Sequence, residues 1–207
     1  GDLPGVGNDV TVVQEFPYGN ASDEGRAMLQ ILHDIAPDAE LFFHTGFISE
    51  GNLAAGIRKL RDDHQCDIIV DDVQYVTEPF FRDGLASQAI DEVVADGANY
   101  FSSAGNFGER SYSADFTPAP APNNNRHDFG GGNFLQSVQL DVGRYLLVLQ
   151  WDDEFYSLGN PNGASNDLDI YLTDNSGNVI YGFNRDNNGD PGNNVPGEDP
   201  IEVMPFT

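Results

Sequence analysis

The stretch DIIVDDVQYVTEPFFRDGLASQAIDEVVADGANYFSSAGN, residues 67–106, decides the fold. Its opening DIIVDDV (67–73) is a short, nearly continuous apolar run, the pattern of a strand covered on both faces. Residues 86–95 read as a helix, and NYFSS (99–103) is extended again. Strand, helix of about ten residues and strand make a parallel βαβ unit.

The same alternation runs back towards the start of the chain. Residues 24–35 place Ala27, Met28, Ile31, Leu32 and Ile35 at helical spacing, and Ala36-Pro37 ends that segment. AELFFHT (39–45) reads as a strand, and 50–61 as a helix with Leu53, Ala54, Ile57 and Leu60 on one face. The first half is therefore α/β, a partial parallel sheet with flanking helices.

After Phe116 the character changes. TPAPAPNNN (117–125) is rich in Pro and Asn and reads as an extended, solvated link, so the domain boundary falls between 1–116 and 117–207. FLQSVQL (134–140), YLLVLQW (145–151), DLDIYLTD (167–174), VIYGF (179–183) and PIEVMPF (200–206) then follow, with Asn175-Ser176-Gly177-Asn178 as a turn. Short strands separated by turn signals predict an all-β, antiparallel sandwich. NRDNNGDPGNNVPGED (184–199) is too rich in Gly, Asn, Asp and Pro to pack, and reads as a loop.

Charge narrows the partners. The 207 residues carry 34 acids against 9 bases, a formal net charge of -25, and Lys59 is the one lysine. Such a field opposes nucleic acid and anionic membrane surfaces; it suits divalent cations, high salt or plain solubility. The single Cys66 precedes an apolar run, reads as a small buried hydrophobe and forms no internal disulfide. No apolar stretch reaches the ~18 residues of a membrane span, and no signal peptide is visible.

Two segments read together carry a family resemblance. DEGRAMLQILHDIAPDAELFFHTGF (23–47) resembles the subtilase stretch in which a histidine and glycine open a buried helix, followed by an apolar-Ala-Pro turn and a strand. DIIVDDVQY, the next helix and YFSSAGN resemble the substrate-lining strand of that family and its oxyanion-hole asparagine. WDD (151–153) with NDLDIYLTDNSGN (166–178) resembles the jelly-roll domains of some bacterial subtilases, including the pre-peptidase C-terminal type. The resemblance implies part of a subtilisin-like serine peptidase, secreted or at the bacterial cell surface, acting on a peptide or protein substrate.

The departures matter equally. The family's catalytic aspartate ends an early strand, and its serine lies in a Gly-Thr-Ser segment; neither is found in these residues. The resemblance therefore implies that the remainder of the parent peptidase supplies both, and that this chain alone is inactive. Glu24 stands where the family has its histidine, and the sedolisin relatives use a glutamate as base. A carboxylate base needs a raised pKa, and Asp72 is the neighbour expected to raise it. The plainer reading makes Glu24 a first-turn acid favoured by the helix dipole, behind Asp23 or Ser22 as N-cap. Asn106 is expected to donate to the oxyanion; the plainer reading is a turn residue.

His33 lies at the far end of its helix, where a histidine caps carbonyls or complements the dipole, and His44 and His127 have no partner at metal spacing; all three read as structural. Asp152, Asp153, Asp167 and Asp169, with the carbonyl-rich loop 186–190, are hard oxygen donors of the kind calcium collects, although alternate acids in NDLD also suit a solvent-facing strand edge. Calcium is thus the one expected cofactor, with Asp152, Asp167 and Asp169 as its ligands. Two rival readings remain: a pseudoenzyme serving as a binding scaffold, and a calcium-stabilised, surface-binding β-sandwich module.

Overall fold

A computed structural model describes residues 10–108, 110–193 and 195–207. It contains 19% helix and 22% strand. The chain divides into two compact units, Gly1–Gly105 and Asn106–Thr207. The division falls ahead of the Pro- and Asn-rich link. Among the described residues every α-helix lies in the first unit.

The first unit runs β1 (Val10–Gln14), α1 (Glu24–Ile35), β2 (Leu41–His44), α2 (Glu50–Asp62), β3 (Ile68–Asp71), α3 (Leu85–Ala95) and β4 (Asn99–Ser102). Strand β1 pairs parallel with β2, and β3 pairs parallel with β4 in the register Ile68↔Asn99 to Asp71↔Ser102. Each pair is joined through helix, as parallel neighbours require. The sequence reading passed over β1, although VTVVQ is rich in β-branched residues.

Helix α2 starts where the Ser49 hydroxyl accepts from the Asn52 N–H at 3.1 Å, an N-cap bond that satisfies one open donor. Its face of Leu53, Ala54 and Ile57 packs with Ala86, Ala89 and Val93 of α3, over Ile69 of β3 and Ala98. The alanines let the two helices approach closely. Gly56 serves the packing of α2 on β2 instead: a Cβ there would stand 2.4 Å from Nδ1 of His44. The far ends of α2 and α3 are tied by Arg61, which donates to the Asp96 carboxylate at 2.7 Å, to the Asp96 carbonyl at 2.6 Å and to the Cys66 carbonyl at 3.2 Å.

Helix α1 differs from the other two. It buries no residue fully, and Ile31 and Ile35 of its apolar face are 60% and 78% exposed. One face of β3–β4 is likewise open, with Ile68, Val70 and Phe101 exposed while Ile69 is buried beneath the helices.

The second unit holds β5 (Tyr145–Gln150), β6 (Ile170–Thr173), β7 (Val179–Phe183), a 3-10 turn Pro191–Asn193 and β8 (Ile201–Phe206). Strand β5 pairs antiparallel with β8, and β6 with β7. Tyr145 stacks on Phe206 at 5.5 Å across the first pair, and Tyr181 of β7 lies 5.9 Å from the same ring. Residues 134–140, expected as a strand, are not one. Alternation makes a strand only where a neighbouring edge supplies hydrogen bonds, and among the described residues no strand pairs with this segment.

The link 117–125 is more ordered than its composition suggests. Asp128 N–H donates to the Thr117 carbonyl at 2.7 Å, and Ala119 N–H to the Arg126 carbonyl at 2.8 Å, closing a turn. His127 sits among Tyr112, Phe116 and Phe129, and its Nδ1 accepts from the Thr117 N–H at 3.2 Å. With Nδ1 an acceptor, the neutral ring carries its proton on Nε2, which lies 3.0 Å from the Tyr112 hydroxyl.

Candidate functional site

In open parallel sheets, ligands bind beyond the carboxyl ends of the strands. The carboxyl ends of β3 and β4 carry Asp71 and Ser102, paired in register. Asp71 Oδ1 accepts from the Val73 N–H at 3.0 Å and from the Ser102 hydroxyl at 3.0 Å. The Tyr100 hydroxyl donates to Asp71 Oδ2. Burial raises the Tyr100 pKa strongly, and the bond to Asp71 raises it further, so Tyr100 stays a neutral donor.

A second acid group lies on the loop after β3. Glu78 is pushed above the ordinary carboxylate value by burial first, then by Glu50 and Asp71. Glu50, in the first turn of α2, accepts from the Thr77 hydroxyl at 2.5 Å. Tyr75 donates to the Gly46 carbonyl at 2.7 Å, and its pKa is raised by burial, Glu50 and Glu78. The arrangement is thus a set of carboxylates and neutral hydroxyls in one electrostatic field that favours the protonated form of Glu78.

The residues expected to be catalytic lie as follows. Glu24 opens α1 and is exposed. Asp23 occupies the N-cap position but makes no capping bond; its carboxylate takes the Arg26 guanidinium at 2.6 Å. Asp72 follows β3 and is exposed, and no hydrogen bond joins it to Glu24. The engaged carboxylate is its neighbour Asp71. Strand alternation carries the missed signal: Asp71 shares a face with the buried Ile69, and Asp72 begins the loop. Asn106 is exposed and is the first residue of the second unit. Gly105 before it has φ +75°, and a Cβ there would meet Gln74 Oε1 at 2.7 Å, so the Ala-Gly-Asn turn needs glycine at its centre.

His44 accepts no catalytic partner. Its Nδ1 lies 2.8 Å from the Thr45 carbonyl, and its pKa is lowered by burial. His64 stacks on Phe42 at 4.8 Å.

In the second unit, Asp152 is exposed, while Asp153 is buried and bound to the 165–166 turn. Asp167 Oδ1 accepts from the Asn187 N–H at 3.0 Å, and Asp169 accepts from the Tyr171 hydroxyl at 3.1 Å. Burial raises the Asp169 pKa, with Asp167 adding to it. Among the described residues no three His, Cys, Asp or Glu side chains converge as a metal-binding group. Two residues missed from the sequence lie here, Glu202 and Asn187, each fully buried. An acid inside the apolar run PIEVMPF was the available signal for Glu202. Burial pushes its carboxyl up; Arg185 opposes that, and Asp169 and Asp167 reinforce it.

No family model, curated protein or solved structure matches the chain. Among the described residues no helix is long and apolar enough to cross a membrane.

Proposed function

We propose that the chain is part of a subtilisin-like serine endopeptidase, with a partial catalytic α/β unit followed by a jelly-roll sandwich. The supporting observation is the parallel β3–β4 pair joined through α3, whose carboxyl ends lead into Asp71-Asp72 and Ser102 to Asn106. In this reading another segment of the parent supplies the serine nucleophile. Glu24 takes the serine proton, and Asn106 donates to the developing oxyanion. The parent is a secreted or cell-surface protein, and its substrate is a peptide or protein.

Kinetics of the full-length parent test this. Asn106→Ala is expected to lower kcat by about 10²- to 10³-fold with KM little changed. Glu24→Gln, which keeps the shape and removes the base, is expected to abolish turnover. Variants as fast as the parent refute the assignments. A parent that neither cleaves peptides nor reacts with a serine-directed inhibitor is a scaffold instead.

A further inference from the structure

The second unit carries a cleft of about 670 Å³, the size of a small-molecule site. Two segments line it: Tyr156, Ser157, Asn160 and Asn162 from the loop after β5, and Val195 and Pro196 from the loop before β8. Backbone hydrogen bonds hold both segments. The Gly159 N–H donates to the Tyr156 carbonyl at 3.0 Å, and the Asn160 N–H to the carbonyl of the buried Phe155 at 3.3 Å. Val195 and Asp190 exchange bonds of 3.0 and 2.8 Å between their backbones. The Gly197 N–H donates to the Asn162 carbonyl at 2.6 Å and so joins one segment to the other. The cleft is therefore formed before any ligand arrives.

Its chemistry departs from that of the chain around it. The protein carries 34 acids and a net charge of -25, yet none of the described residues that line the cleft is charged. Two carboxylates position the lining without joining it. Glu154 Oε2 accepts from Asn160 Nδ2 at 3.0 Å, and Asp199 Oδ1 accepts from the Ser157 N–H at 2.8 Å. The Asn162 N–H donates to Asn160 Oδ1 at 2.9 Å, so both ends of the Asn160 amide are engaged and its orientation is settled. The bonds that fix Ser157 and Asn162 use their backbone atoms, which leaves a hydroxyl and an amide for a ligand. The side chains of Tyr156 and Val195, each residue 52% exposed, add apolar surface beside Pro161 and Pro196.

We propose that this cleft binds a neutral oligosaccharide, with the Tyr156 ring against the C–H face of a sugar and Ser157, Asn160 and Asn162 holding its hydroxyls. Amides and hydroxyls both donate and accept, which is what a sugar hydroxyl requires of its partners. An aromatic ring with a polar end suits a ligand that is apolar on its face and polar at its rim. A lining without charge gives no purchase to an ionic ligand. No strand lines the cleft, so an extended peptide finds no edge to pair with there. The site does not depend on the peptidase reading.

Titration calorimetry of the whole chain with cellohexaose, xylohexaose, maltohexaose and chitohexaose tests it, at physiological and at about 1 M salt. At least one of these sugars is expected to bind saturably, with an affinity that salt changes less than about twofold, because no ion pair forms. Tyr156→Ala is expected to weaken that binding about tenfold. Asn162→Ala is expected to weaken it about fivefold. Both side chains are exposed, and thermal melting followed through Trp151, the one tryptophan and a buried residue of this unit, separates a lost contact from a lost fold. Failure of all four sugars to bind, binding that salt abolishes, equal binding by folded variants, or a neutral proline-rich peptide bound in place of the sugars overturns the proposal.

Discussion

Replacing Asp153 with alanine removes an anchor whose loss can be sized from its contacts. The carboxylate accepts from the N–H groups of Glu154 at 2.8 Å, Ser165 at 2.9 Å and Asn166 at 2.8 Å. It also accepts from the Asn166 side-chain amide at 2.8 Å, and the Ser165 hydroxyl lies 3.1 Å from both oxygens. These bonds hold the segment after β5 against the turn that leads into β6. Burial works to raise the carboxyl pKa, but the bonds from Glu154, Asn166 and Ser165 outweigh it and hold the pKa below its ordinary value.

A hydrogen bond to a charged group contributes about 1.5–3 kcal/mol, and bonds that share one carboxylate do not add. The loss is therefore about 3–4 kcal/mol, which lowers the melting temperature of a unit of ~100 residues by about 15 °C. Thermal and urea unfolding followed through Trp151 measures it. Because the folded pKa is depressed, this stabilisation is present above the unfolded value near 3.8 and disappears as pH falls through the folded one. Parent and variant should thus converge in strong acid. A variant melting within about 2 °C of the parent at neutral pH, or a gap that persists undiminished in acid, refutes the reasoning.

Glu78→Gln should change how the first unit responds to pH. The Glu78 pKa is raised from about 4.5, so its contribution is present below that value and is lost as pH rises through the folded pKa. Urea midpoints of the parent should fall over that interval relative to the variant, and parallel curves would remove the buried acid from the account. Arg61→Lys should destabilise the α2–α3 pair and lower the urea midpoint, because an ammonium cannot span the Asp96 carboxylate, the Asp96 carbonyl and the Cys66 carbonyl together. An unchanged urea midpoint would show that those bonds contribute nothing net.

The candidate sites were legible to unequal degrees. The DDV strand end marks a segment with two carboxylates, and which of them Tyr100 and Ser102 engage depends on which one shares a face with Ile69. Asp167 and Asp169 were visible as hard oxygen donors. Asn187 was not, because NRDNNGDPGNNVPGED reads as loop and nothing in it marks one asparagine for burial. What singles Asn187 out is tight backbone contact between Gly163, Gly189, Gly197 and the chain around them.

By itself the sequence determined the mixture of helices and strands, the helices 24–35 and 50–61 almost to the residue, and the antiparallel strands of the second half. Those features follow from periodicity, which each segment carries alone. Tertiary structure decided the rest. It left Ile31 and Ile35 of α1 exposed while burying the equally periodic face of α2, and it left 134–140 without a strand partner. It also enclosed Glu202, an acid whose neighbours in sequence are apolar but whose neighbours in space are Asp167 and Asp169. Burial and pairing depend on what another part of the chain brings to the same place, and no local pattern encodes that.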